Sequence, residues 1–241
     1  MSFTSWRGVV GLIQPTYRPG PLEELIRLLP EGIGVIPLFL GVQRGDEKEF
    51  LDVFATIKEK IAELAALKVD LIHPAGAPPF MLKGYQGEAE IVGAFERSHG
   101  IPIVTSGMTQ VEAMRALGIR RMVGITYFAG EINGKYARYF TEAGFEVLGM
   151  EGISAPFAEV GRLSPEEIYA FTKAHFLKHR DVQGIYLLGS GWRVLEITRV
   201  LEEDLQVPVI HGVNARAWAI QKRLHVRQPV RGFGRLLEEM P

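Results

Sequence analysis

Eight short runs of β-branched and other apolar residues punctuate the chain, at 9–13, 35–40, 69–72, 101–105, 122–126, 145–148, 185–188 and 207–210. Most are too uniformly apolar to alternate between a wet and a dry face. They read as strands buried on both faces, as the strands of a parallel sheet are. Amphipathic stretches lie between them. The clearest covers 47–67, where Phe50, Phe54, Ile57, Ile61 and Leu64 recur at three- and four-residue steps. Asp46 and Glu49 form a capping-box variant at its start. A second helix is expected from Ser164-Pro165, with Ser164 as cap, Pro165 in the first turn and Glu167 closing the box. Gly118 and Gly144 follow helical runs as C-terminal caps do. Strand and helix alternating in this way give an α/β fold with a mostly parallel sheet.

The pattern occurs twice. "VVGLI" at Val9 and "MVGIT" at Met122 lie 113 residues apart, and so do "VDLIHPAG" at Val69 and "VQGIYLLG" at Val182. "IPIVTSGMTQVEAMRAL" at Ile101 and "VPVIHGVNARAWAIQKRL" at Val207 lie 106 apart. Two pseudo-symmetric Rossmann-like lobes are therefore expected at 1–115 and 116–225, with a tail at 226–241 packing back on them. Open α/β sheets bind ligands beyond the carboxyl ends of their strands. Two facing lobes would set the turns at 75–79 and 189–192 across one central cleft. Glycine in such turns admits a ligand to the backbone, and free N–H groups there attract anions. With no phosphate motif present, the expected anion is a carboxylate.

The bulk numbers narrow the partners. Lysine and arginine total 27 against 28 acidic residues, a net charge of −1, so nothing favours nucleic acid. The chain contains no cysteine, which removes disulfides, thiolate nucleophiles and cysteine metal sites. No apolar run approaches the roughly 20 residues of a membrane span. A cytoplasmic protein with no membrane partner is expected; assembly with further copies of itself is left open.

Over nearly its whole length the chain resembles the aspartate/glutamate racemase superfamily, and within it the arylmalonate decarboxylase and maleate isomerase group. The resemblance rests on "GLIQPTYRPGPLEELIRLLPEGIGV", on "IPIVTSGMTQVEAMRALGIRRMVGITYFAGEINGKYARYFTEAGFEV", and on "VQGIYLLGSG" with "VPVIHGVNARAWA". It implies two lobes around a cleft, no cofactor, no metal, and chemistry at the carbon beside a carboxylate. Members of the group carry a cysteine in one or both strand-end turns. Here the matching residues are Gly76 and Gly189, so racemisation or isomerisation through a thiol pair is excluded. The resemblance implies that a cysteine at 189 would restore the donor that the decarboxylases use.

The remaining candidates follow from that frame. Tyr127 matches the family tyrosine that binds a carboxylate. Gly76, Ala77 and Pro78 replace a turn that is richer in hydroxyl donors, and Pro78 has no N–H. Gln14, Thr16, Tyr17 and Arg18 are positioned to make up the loss, and Gly189, Ser190 and Gly191 form the second turn. Asn133 matches a family asparagine that orients a loop or ligand. Pro78, Pro79, Phe80 and Trp192 would wall the pocket from which a carboxylate leaves. His73 and His211 end their strands and are the remaining neutral-pH proton donors. His175 and His179 have metal-pair spacing without a third ligand, and Glu131 and Lys135 have the spacing of a solvated ion pair. The expected activity is cofactor-independent decarboxylation of a small mono- or dicarboxylic acid such as a substituted malonate. An isomerase, lyase or hydrolase on a related acid, or a carboxylate-binding protein without catalysis, are the other readings.

Overall fold

The computed structural model describes residues 4–189 and 191–241. The first half runs β1 (Gly8–Gln14), α1 (Gly20–Leu28), β2 (Ile33–Phe39), α2 (Glu47–Asp52), α3 (Phe54–Ala66), β3 (Leu71–Pro74), α4 (Pro78–Met81), α5 (Gly84–His99) and α6 (Ser106–Ala116). The second runs β4 (Arg121–Thr126), α7 (Ile132–Glu142), β5 (Glu146–Gly152), a 3-10 turn (Phe157–Arg162), α8 (Pro165–Phe176), β6 (Gly184–Leu187), α9 (Leu195–Leu205), β7 (Val209–His211), α10 (Gly212–Arg223) and α11 (Arg235–Glu239). All named strand pairs are parallel.

The two sheets have matching orders, β2-β1-β3 and β5-β4-β6-β7. The run at 101–105, expected as a strand, makes only a single bridge, Ile72 to Ile103. That bridge sits beside β3 as β7 sits beside β6, so the repeat read from sequence survives in the topology. Pro102 contributes a carbonyl to Ile72 but has no N–H to extend the ladder.

Local chemistry sets the helix starts. Ser164 and Glu167 form the full capping box, a device worth about 1 kcal/mol at the cap. Asp46 accepts from the Glu49 N–H at 2.8 Å. The expected helix over 47–67 is interrupted at Val53 into α2 and α3, and the Glu49 side chain turns back to accept from the N–H groups of Gln43, Arg44 and Gly45 before α2. The halves meet through helices. Glu88 of α5 accepts from Thr105 before α6 and from Tyr139 of α7. At the end of the chain, the Trp218 indole donates to the Pro241 carbonyl. Among the described residues no helix is long and apolar enough to cross a membrane.

Candidate active site

Both strand-end glycines take left-handed backbone, Gly76 with φ +89° and Gly189 with φ +69°. That conformation turns each chain sharply out of its sheet and is open to glycine at little cost. The two turns line one cavity together with Gln14 and Thr16 from the end of β1. Ala77, Pro78 and Pro79 continue the first wall, while Tyr127, Leu188 and Gly191 come from the second half. Phe50 and Phe157 add ring faces. The free interior is about 30 Å³, room for roughly one or two waters, so a substrate enters only if side chains move. An outer cavity of about 480 Å³ adjoins it, sharing Arg18, Pro21 and Gly191.

Tyr127 is the aromatic centre of the site. Its ring packs edge-on against Trp192 at 5.2 Å and lies 4.8 Å from Phe128. Burial pushes its hydroxyl up to about 12, with Arg18 pulling slightly the other way. The hydroxyl lies 2.6 Å from where a Cβ on Gly189 would stand. A side chain at 189 would therefore strike the phenol in a backbone conformation that already disfavours it. Asn133 does not line the cavity. It accepts from Thr126 Oγ1 at 2.6 Å and donates to the Phe128 carbonyl at 3.1 Å, bracing the turn that presents Tyr127.

Arg18 spans the mouth. Its guanidinium donates to the Phe157 carbonyl and lies 4.7 Å over the Phe157 ring. Tyr17, expected at the site, is 71% exposed and packs on Phe39 outside the cleft. Phe80, expected on the pocket wall, packs instead on Phe54, in a core cluster with Ile57, Ile61 and Leu64. Trp192 lines the outer cavity and backs Tyr127. Arg193 pairs with Glu196 at 3.0 Å on the surface, and Lys135 pairs with Glu47 instead of Glu131. His175 leans on Glu151 at 3.2 Å and contacts His179. Ser190 lies outside the described residues.

The two strand-end histidines, expected as proton donors, both have structural partners. Both are fully buried and lie behind the cavity wall. Burial drives both below the ordinary histidine value, His211 to about 3, so each is neutral at pH 7. His211 Nδ1 accepts from the Val213 N–H and caps α10. His73 Nε2 accepts from Arg216 Nε at 3.0 Å, which leaves the proton of the neutral ring on Nδ1.

Arg216 itself escaped the sequence reading. It is 1% exposed and lines the cavity, and burial lowers its pKa only to about 10, so it stays charged. Gln110, also on the wall, is fully buried with neither amide atom paired. The available signal was a lone arginine in the otherwise apolar "ARAWAI" run, since a charge on a buried helix face calls for a reason.

A protein-family model described as arylmalonate decarboxylase matches residues 10–237. An arylmalonate decarboxylase from Bordetella bronchiseptica is 26% identical over 236 residues, covering 95% of this chain and 96% of the relative. The fold is shared with a liganded double mutant of arylmalonate decarboxylase, at TM-score 0.89 and 21% identity over 96% of this chain and 99% of that one. A variant of the Nocardia farcinica maleate cis-trans isomerase with a covalently bound succinylcysteine intermediate superposes at TM-score 0.88 and 20% identity, covering 96% and 98%.

Proposed function

The chain belongs to the arylmalonate decarboxylase family, and on that premise we propose that it is a cofactor-independent decarboxylase of a small dicarboxylic acid bound between the two sheets. One observation carries the reading. A single buried cavity is lined both by unpaired amide groups, Gln14 Nε2 and Gln110, and by apolar faces, Phe50, Pro78, Pro79, Phe157 and Leu188.

That combination fits the electron flow of decarboxylation. As the bond to the departing carboxyl breaks, its electron pair moves onto the carboxyl that stays, and neutral CO2 leaves. The departing group loses charge, so apolar walls favour its conversion. The retained carboxylate gains charge as it becomes an enediolate, so donors fixed beside it act most strongly in the transition state. The α-carbon then takes a proton. Gly76 and Gly189 stand where the resemblance puts the family's thiols, and the Tyr127 hydroxyl fills the space beside Gly189. We assign the proton to that hydroxyl. A phenol near 12 is a weak acid at neutral pH, but the carbanion of an enediolate is a far stronger base. Neutral His73 and His211 do not supply it. Addition of a thiolate, the route implied by a succinylcysteine intermediate in the Nocardia relative, is closed to a chain without cysteine.

The test is CO2 release from unsubstituted, alkyl and aryl malonates in D2O, with deuterium read at the α-carbon of the product. CO2 with one deuterium per turnover is the expected result. Malonates that bind without any release of CO2 would leave the chain a carboxylate-binding protein.

A further inference from the structure

Burying a cation without a counter-charge is among the most costly arrangements in a protein, and it persists where a ligand or a partner compensates it. Arg216 is buried in this way. Its Nε bonds to neutral His73, and among the described residues its Nη1 has no partner and no ion pair links it to a carboxylate. The acidic group that acts on it through space is Glu24, whose own carboxyl is pushed up to about 7 by burial and by Glu196, so near neutral pH it holds only part of a charge. Beside Arg216 on the same wall, Gln110 has both amide atoms free, and Gln14 has a free Nε2. Three separate elements, α10, α6 and β1, thus bring unpaired donors to one buried cavity.

We propose that Arg216 is a catalytic residue: Nη1, flanked by the amides of Gln110 and Gln14, holds the carboxylate that remains on the product and stabilises the enediolate formed there. This deepens the decarboxylase reading and rests on it. The first turn is poor in donors because Pro78 lacks an N–H and Ala77 a hydroxyl. A full positive charge on α10 supplies what that turn does not. His73 is a positioning residue: by accepting from Nε it fixes the guanidinium plane and leaves Nη1 for the ligand. His211, through its cap on α10, fixes the helix that carries it.

The experiment uses the intact chain, with malonate as the probe for binding and for CO2 release. Arg216→Met is expected to weaken malonate binding by about tenfold to a hundredfold, the range for one lost charge-assisted hydrogen bond. CO2 release at saturating malonate should fall further, because the interaction strengthens as charge develops. Gln110→Leu should lower both less. A crystal structure of the unmodified chain with malonate should place a carboxylate oxygen about 3 Å from Nη1, which decides the matter even where Arg216→Met does not fold. Malonate held elsewhere in the cleft, or a folded Arg216→Met with full affinity and turnover, overturns the assignment while leaving the decarboxylase reading intact. Binding that depends on Arg216 without any CO2 release supports the anchor and removes the decarboxylase.

Discussion

The Tyr127 hydroxyl occupies the space that a side chain on Gly189 would fill, 2.6 Å from the position of its Cβ. One residue thus takes the place of another across the turn. The glycine is required by two constraints at once: a φ of +69° and a phenol that cannot retreat, because Trp192, Phe128 and Phe157 surround its ring.

Tyr127→Phe removes the hydroxyl and leaves the ring. Loss of a positioned proton donor typically costs about 10²- to 10⁴-fold in rate. We expect kcat for CO2 release to drop by that factor, with the melting temperature nearly unchanged. Equal turnover by the phenylalanine variant, with deuterium still incorporated, would remove Tyr127 from the chemistry.

Gly189→Cys is expected to impair the protein, despite placing a thiol where the resemblance puts the family's own. A non-glycine residue in left-handed backbone costs about 1–2 kcal/mol, and the Tyr127 ring must also shift. For a chain of this size each kcal/mol lowers the melting temperature by about 2–4 °C. Calorimetry and CO2 release on the same sample check this. An unchanged melting temperature with faster turnover would contradict the geometry.

Arg18→Met should loosen the mouth. It removes the bond to the Phe157 carbonyl and the cation over the Phe157 ring, a contact worth about 0.5–2 kcal/mol. Substrate affinity should fall several-fold, seen as a higher KM, while kcat changes little. A fall in kcat alone would move Arg18 from the mouth to the reacting centre.

Stability should depend on Glu88. Burial raises its carboxyl to about 7, against the hydrogen bonds from Thr105 and Tyr139. The folded state therefore holds this proton more tightly than the unfolded chain does. The stability it contributes is full below about pH 4.5 and is lost as pH rises through about 7, a change on the order of 3 kcal/mol. Buried His73 and His211 tilt the curve the other way below about 6.5, so the difference between wild type and Glu88→Gln isolates the term. Urea unfolding from pH 5 to 8 should show the variant gaining relative to wild type as pH rises. A constant difference across that range would mean that Glu88 does not titrate there.

What the sequence determined by itself is the set of features whose physics is local. Apolar runs bury themselves as parallel strands, Ser164 and Glu167 cap their own helix, and glycine permits the turns at Gly76 and Gly189 wherever the fold carries them. The repeat spacing also placed those two turns on one cleft, because equal topology sends equal strand ends to equal places. Tertiary structure alone decided which side chains reach the cavity. Helix α10 turns Arg216 inward and sets it against His73, 143 residues away in the chain. His73 and His211 face similar strand ends, yet burial neutralises both and commits them to Arg216 and to the α10 cap. Tyr17 and Phe80 follow their neighbours in sequence but point elsewhere, Tyr17 to the surface and Phe80 into a separate core. Direction and burial depend on contacts between distant segments, and no residue's identity or spacing encodes those contacts.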